Sequence, residues 1–409
     1  MVKHWLTFGM SAFDTPGFQD TSRLMHAAFP GPRMYIEPPQ PFSGWLHASA
    51  SPFRYRVAKV GDEVVLSPPL PFPRRFDVLR IGASIQARFL DRVVTAAWGK
   101  DWRSTSIVYL TNWSYAARPI VEHLRPKYLL FDCVDDVLAF PYEVQQERVN
   151  AAMAWLARRA TVVTAVSSPL AEKIARDWHI DAVVLPNGVD AGRFRCPTST
   201  LAWCTRNHRC EVQSTVLTQL VALRKSVPGK IWAGFAGTLN HWIDYDAMRA
   251  LVDAFPDIHL VLIGKVGHLG SASVEQSFRA LQRHPSVSFL GPVSYDALPA
   301  CLHALDILLL TRVPGPASLA SSPLKFYEYL AVGKPVVVCG VPVPEDARAL
   351  VYSFPEGKRG LLDAVRLAVG ECRGVSASLR IQRQAYAASH SWETRVEAAR
   401  ACLTAAAGC

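Results

Sequence analysis

The chain has 409 residues, 50% of them hydrophobic and 19% charged. That composition excludes a disordered or low-complexity protein, and the length suits two domains. Mean hydropathy is slightly positive, yet no stretch approaches the ~20 apolar residues that a membrane helix needs. The net charge of +10 is unevenly placed: residues 1–190 carry +3, residues 191–228 carry +5 and residues 229–409 carry +2. A basic stretch of this kind suits a nucleic acid, an anionic lipid surface or a phosphorylated substrate, or is simply a solvated linker. No nucleic-acid motif accompanies it. The opening Met1-Val2-Lys3-His4-Trp5 lacks the charged and apolar segments of a secretory signal, so a cytoplasmic protein is expected. Nine cysteines are too few for a disulfide scaffold of this size. Cys133, Cys301 and Cys339 lie in apolar settings and read as reduced core thiols. Cys196, Cys204, His208 and Cys210 have spacings that match no common zinc site.

Two series of strands and helices follow one another. In the first, strands are expected near 3–8, 32–37, 106–110, 127–131, 161–166 and 182–185, with helices near 18–29, 83–98, 115–124, 143–159 and 169–177. Val144, Val149, Met153 and Leu156 share one face of the 143–159 helix. Residues 38–76 are rich in proline and aromatics, with strand-like pieces at 54–59 and 63–66. In the second series, strands are expected near 230–235, 258–263, 286–290, 306–310 and 334–338. Helices fall near 244–254, 273–282, 295–304, 323–331 and 360–369, and a long helical stretch spans 377–405. The strands are mostly continuous apolar runs, such as Ile258-His259-Leu260-Val261-Leu262-Ile263. Such runs suit parallel sheets covered on both faces. The expected architecture is α/β, two doubly wound Rossmann-like domains facing a central cleft, and ligands in such sheets bind beyond the carboxyl ends of the strands.

Four motifs sit at such ends. Ser321-Ser322-Pro323-Leu324-Lys325-Phe326-Tyr327-Glu328 opens a helix, with Ser322 expected as its N-cap and Pro323 as its first residue. A helix start offers unpaired N–H groups and partial positive charge to a phosphate. Lys325 opposes the helix dipole there, a local misfit that a bound anion resolves. The plain alternative is a surface helix with a Lys325–Glu328 pair. Gly234-Phe235-Ala236-Gly237-Thr238-Leu239-Asn240 lets backbone approach a ligand closely, or is only a tight turn. It is not a G-x-G-x-x-G fingerprint, which argues against a nicotinamide enzyme. Asp132, Asp135 and Asp136 cluster after a first-domain strand. Their mutual repulsion is expected to raise a proton affinity and so to supply a general base, although helix capping explains any one of them equally well. Ser167-Ser168-Pro169-Leu170 repeats the tetrapeptide of 321–324, with Ala171 in place of Lys325.

In order along the chain, Val166-Ser167-Ser168-Pro169 leads to Leu185-Pro186-Asn187-Gly188-Val189-Asp190…Phe194, then Phe235-Ala236-Gly237-Thr238-Leu239 and Leu262-Ile263-Gly264. Phe289-Leu290-Gly291-Pro292-Val293 with Leu298-Pro299 follows, and then Ser322-Pro323-Leu324-Lys325…Glu328-Tyr329-Leu330-Ala331…Gly333-Lys334-Pro335. This series resembles the GT-B glycosyltransferases, family 4 above all, and within it enzymes of teichuronic acid and exopolysaccharide synthesis. The resemblance implies an N-terminal acceptor domain (1–190), a basic linker (191–228), a C-terminal nucleotide-sugar domain (229–385) and a last helix (386–409) that crosses back. It implies a UDP- or GDP-linked sugar as co-substrate and no other cofactor. The acceptor would be a glycan or a polyprenyl-linked one, and contact with the inner face of an anionic membrane would be peripheral. Lys325 would hold the diphosphate, with no metal needed, and Glu328 would face the ribose. Gly237, Thr238, Val293, Ser321 and Ser322 would complete the donor site, and Asp135 would be the base, as in a xanthan-type glucuronosyltransferase. Two positions depart from the family pattern: Ala320 stands where the first acid of its E-x7-E motif would be, and Thr238-Leu239-Asn240-His241-Trp242 lacks the usual Arg/Lys pair. A sugar-nucleotide epimerase and a non-catalytic nucleotide-sugar-binding protein remain the competing readings, with nucleic-acid binding a distant third.

Overall fold

The computed structural model describes residues 2–13, 20–38, 56–60, 63–67, 81–140, 146–195, 211–354, 358–374 and 377–407. They form two compact units: residues up to Pro186 together with Trp392 onward, and Asn187–Ser391.

In the first unit an eight-stranded sheet has the order β3-β4-β2-β1-β5-β6-β7-β8. Its strands are β1 (His4–Phe8), β2 (Arg33–Ile36), β3 (Arg56–Val60), β4 (Glu63–Ser67), β5 (Ser106–Thr111), β6 (Tyr128–Cys133), β7 (Val162–Ala165) and β8 (Val183–Val184). All pairings are parallel except β3 with β4, an antiparallel hairpin at the edge. Of the expected pieces at 54–59 and 63–66, residues 56–59 and 63–66 form this hairpin, and residues 54 and 55 lie outside the described residues. Every residue of β5 is buried, as a central parallel strand covered on both faces requires. The helix Gln146–Arg159 buries Val149, Met153 and Leu156; Val144 lies outside the described residues.

The second unit holds a six-stranded, fully parallel sheet of order β11-β10-β9-β12-β13-β14. Its strands are β9 (Ile231–Ala236), β10 (Ile258–Ile263), β11 (Val287–Leu290), β12 (Ile307–Thr311), β13 (Val336–Cys339) and β14 (Tyr352–Ser353). Side chains alternate across a strand, and the two helix layers share them accordingly. Val261, Ile263, Leu308, Leu310, Val336 and Val338 pack on one face with Phe326, Tyr329 and Leu330. Leu260, Leu262, Ile307, Leu309 and Val337 pack on the other with Met248, Leu251, Leu361 and Val365. A continuous apolar run is thus two half-strands feeding two cores. Cys133, Cys301 and Cys339 are buried and form no disulfide.

Three expectations are corrected here. The stretch 377–405 is two helices, Ala377–Ser389 and Trp392–Ala407. The break falls where Ser391 bridges Val189 and the Val189 N–H donates to the His390 carbonyl (2.9 Å), so the backbone leaves the helix to pair with another segment. The basic stretch 191–228 is not simply a solvated linker: in its helix Glu211–Ser226, Val216, Leu217 and Leu220 enter the core of the second unit. One terminal nitrogen of Arg224 there donates to both Asp306 carboxylate oxygens at 3.0 Å, and its guanidinium lies over Trp232. Cys196, Cys204, His208 and Cys210 lie outside the described residues.

The last correction concerns Asp132, which does not join its neighbours as a repelling acid. It is fully buried and receives both Arg395 terminal nitrogens at 2.9 and 3.0 Å, the Tyr109 hydroxyl at 2.8 Å and the Thr164 hydroxyl at 2.7 Å. Arg395 also donates to the carbonyls of Pro186 (2.8 Å) and Leu185 (3.2 Å). The pair is hydrogen-bonded all round, the condition under which a buried ion pair is tolerated.

Candidate functional site

The second Ser-Ser-Pro-Leu segment organises a corner at the carboxyl ends of β9 and β12. Its helix is Leu324–Val332, so the N-cap is Pro323 rather than Ser322, and no side chain caps it. The serine hydroxyls are engaged elsewhere. Ser321 donates to the Ser318 carbonyl (2.7 Å), and Ser322 lies 3.1 Å from the Tyr327 hydroxyl. The Ser322 carbonyl accepts from the Asn187 amide (2.7 Å). The expectation of Ser322 as N-cap is corrected: its hydroxyl faces Tyr327 within the helix instead of the helix-end N–H groups. An uncapped start leaves its first N–H groups to an outside acceptor.

Tyr329 fixes this helix against the sheet: its hydroxyl accepts the Ala236 N–H (3.1 Å) at the end of β9. One turn earlier, Lys325 then lies along Gly237. A Cβ on Gly237 would fall 2.2 Å from Lys325 Cε and 2.6 Å from Nζ, and the φ of this glycine is +148°. Only glycine suits that conformation and that contact. Gly264, after β10, presses equally close, since a Cβ there would meet the Gly237 carbonyl oxygen at 2.0 Å. The half-buried Lys325 ammonium lies 5.6 Å from the centre of the Phe235 ring. Burial lowers its pKa; Glu328 pulls it back up, and Arg312 adds to the lowering.

Glu328 is buried at 6% exposure one turn further along the helix. Burial raises its pKa, while Lys325 and a hydrogen bond with Tyr295 pull it down. Tyr295 and Val293, on the loop after β11, pack at the margin of the core. Thr238 follows Gly237, and its methyl would lie 2.7 Å from a Cβ on Gly267. Gly237, Thr238, Ser321, Ser322, Lys325, Glu328 and Val293 thus all belong to the second unit, at the carboxyl side of its sheet. Ala320 is buried and offers no acid. Sequence reasoning missed Arg312, Tyr295 and Tyr329. The first follows the apolar run of β12 directly, and residues at strand ends had been given weight for that reason. Tyr329 stands four residues after Lys325, hence on the same helix face.

Asp135 belongs to the first unit, after β6. Its carboxylate accepts the Trp113 indole N–H (2.8 Å), and its carbonyl accepts the Asn112 amide (2.5 Å). It borders a small, partly open hollow with Asp136, Lys173, Met153 and Trp178. Asp136 lies 3.6 Å from the Lys173 ammonium. With Asp132 held by Arg395 and Asp136 near Lys173, cations offset the repulsion anticipated among the three carboxylates. Among the described residues, no group of three or more His, Cys, Asp or Glu is placed to hold a metal ion, and no helix is long and apolar enough to cross a membrane.

The architecture is that of the GT-B glycosyltransferases, and residues 231–366 match the family of glycosyl transferases group 1. The chain is similar in fold to HepE of Anabaena, solved in complex with UDP-glucose, with a TM-score of 0.65 and 17% identity over 98% of this chain and 99% of that one. Sucrose-phosphate synthase of Thermosynechococcus elongatus superposes with a TM-score of 0.65 at 13% identity, over 98% and 100% of the two chains. In sequence the chain resembles TuaH of Bacillus subtilis (strain 168), whose name assigns it to teichuronic acid biosynthesis as a glycosyltransferase. The two are 28% identical over 155 residues, which is 36% of this chain and 38% of TuaH.

Proposed function

We propose that this protein is a glycosyltransferase that moves a sugar from a nucleotide-sugar donor to a glycan or polyprenyl-linked acceptor in cell-surface polysaccharide synthesis. The observation that carries the reading is the corner in which the uncapped Leu324–Val332 helix, the Lys325 ammonium and the Gly237 backbone converge. Together they supply N–H donors, positive charge and close backbone approach, the chemistry a diphosphate needs. Lys325 and the helix start would stabilise the charge that grows on the leaving diphosphate, so protein groups provide the compensation and transfer is expected to survive a chelator. Glu328 would accept from the ribose hydroxyls, with Thr238, Val293, Ser321 and Ser322 around the donor. Residues 229–385 would form the donor domain and residues 1–190 the acceptor domain. Asp135 would take the proton of the acceptor hydroxyl; Trp113 and Asn112 hold it in place. TuaH and the UDP-glucose complex of HepE support the substrate class. The inner face of the membrane is the proposed place of work, since a polyprenyl-linked acceptor resides in the bilayer.

Thermal shift with UDP-, GDP- and dTDP-sugars tests the donor site. A bound donor at 100 times its Kd should raise stability by about 2.7 kcal/mol, and Lys325→Met should abolish the response. A wild-type chain that responds to none of these nucleotides overturns the reading. Ala320, where an acid would complete the donor-sugar contacts, favours a second reading, a protein that binds nucleotide-sugar without transfer. Donor binding with no product on any lipid or glycan acceptor would select it, and turnover of donor alone would select an epimerase.

A further inference from the structure

Arg312 directly follows β12, and its surroundings hold it firmly. Its N–H donates to the Cys339 carbonyl (2.9 Å), and Gly340, at φ +77°, packs so close that a Cβ would lie 1.9 Å from the Arg312 carbonyl oxygen. The guanidinium donates to Ser321 Oγ (3.3 Å) and lies 5.8 Å from the centre of the Trp242 ring. Ser321 is itself anchored on Ser318. The preceding residue, Thr311, is 1% exposed, and its hydroxyl has no hydrogen-bond partner. Lys325, the neighbouring cation, feels Glu328 as its attracting charge and Arg312 as a repelling one. Two cations near one another repel, and an anion between or beside them removes that cost.

The sheet order gives the direction. Along its carboxyl edge, Tyr295 and its partner Glu328 stand on the β11 side, Gly237 and Lys325 at β9, and Arg312 with Trp242 on the β12 side. A nucleotide-sugar is linear: nucleoside, diphosphate, sugar. With its diphosphate on Lys325 and its ribose at Glu328, its sugar end points to Arg312.

We infer that Arg312 is the second donor-reading cation, binding anionic oxygens at the sugar end of the donor. This rests on the donor reading above. The oxygens belong either to the sugar-proximal phosphate or to a carboxylate on the sugar itself. Arg312 thereby supplies from β12 the charge that the Thr238–Trp242 loop lacks.

Calorimetry with UDP, UDP-glucose and UDP-glucuronate on the wild type, Arg312→Gln, Arg312→Lys and Ser321→Ala tests it. Loss of one charge-assisted contact should weaken binding by about tenfold or more in Arg312→Gln, with part of the loss restored in Arg312→Lys. Ser321→Ala, which frees the guanidinium, should cost a few-fold. An equal loss for UDP-glucose and UDP-glucuronate identifies the phosphate; a loss confined to UDP-glucuronate identifies a sugar carboxylate. Unchanged affinity for all three in a normally folded Arg312→Gln overturns the assignment of Arg312 alone. A wild type that binds neither these nor GDP- and dTDP-sugars overturns the donor reading and the role of Arg312 with it.

Discussion

The same tetrapeptide, Ser-Ser-Pro-Leu, opens a helix in each unit, and the two copies do different work. In the first, Ser167 caps the helix Ser168–Trp178 by accepting the Leu170 N–H at 3.3 Å. In the second, Ser321 and Ser322 turn to Ser318 and Tyr327, the helix begins three residues after Ser321, and its start is left without a side-chain cap. One copy satisfies its helix end internally and is a structural joint. The other leaves donors unspent and adds Lys325 where Ala171 stands in the first. Identical letters therefore fix only that a helix begins; the partners that the flanking residues offer the hydroxyls decide whether its end is closed or open to a ligand.

The sharpest way to break this comparison is Lys325→Ala. If the open end holds a diphosphate, kcat/KM should fall by about 10²–10³, or roughly 2.7–4 kcal/mol of transition-state stabilisation. Steady-state kinetics with near-normal values would show that the two copies are equivalent after all. A smaller effect comes from pH. Burial lowers the Lys325 pKa and raises that of Glu328. Lys325 is charged only below its lowered pKa, and Glu328 only above its raised one. Donor affinity should therefore fall on both sides of a window narrower than ordinary groups give, by about tenfold per pH unit outside it. Free of donor, the protein should gain stability as pH climbs from the lowered Lys325 pKa toward ~10.4, because the unfolded chain binds the extra proton there.

Ser167→Ala comes next. Loss of a true N-cap should cost about 0.5–2 kcal/mol in denaturant unfolding and leave nucleotide binding alone. Ser322→Ala should stay within about 0.5 kcal/mol, since it removes no cap. Equal losses would mean that both serines cap. The smallest effect is expected from Ala171→Lys, a few tenths of a kcal/mol against the helix dipole. Calorimetry should find no second nucleotide site, because Ser167 still closes that helix end.

Much of the fold was legible because burial imposes pattern. Runs such as Ile258–Ile263 and Ile307–Thr311 are apolar on both faces, and only a covered parallel strand requires that. The short β14 escaped notice, since two residues carry no period. The residue pattern of 377–405 carries no break at His390-Ser391, because pairing with Val189, two hundred residues away, makes it; only the family resemblance sets off a last helix that starts near His390-Ser391-Trp392. At the corner itself, Lys325, Gly237 and Glu328 stood out as local misfits or strand-end residues. Ser322 differs from its expected role because capping is the local default, and the sequence pattern does not show that Tyr327, five residues on, takes its hydroxyl. Arg312 carries a strand-end signal, directly after the apolar run of β12, but its contact with Ser321 comes from the fold of the intervening loop, which the sequence does not show.

The salt link between Asp132 and Arg395 has a practical consequence for dissecting the molecule. Its two charges lie on segments separated by almost the whole second unit. Expressing residues 1–186 by themselves would strand a carboxylate inside β6 with its counter-ion missing, a loss of about 3–5 kcal/mol. A workable fragment has to splice the Trp392–Ala407 helix onto Pro186 through an engineered tether, because the first unit is completed only by a segment that follows the second in the chain.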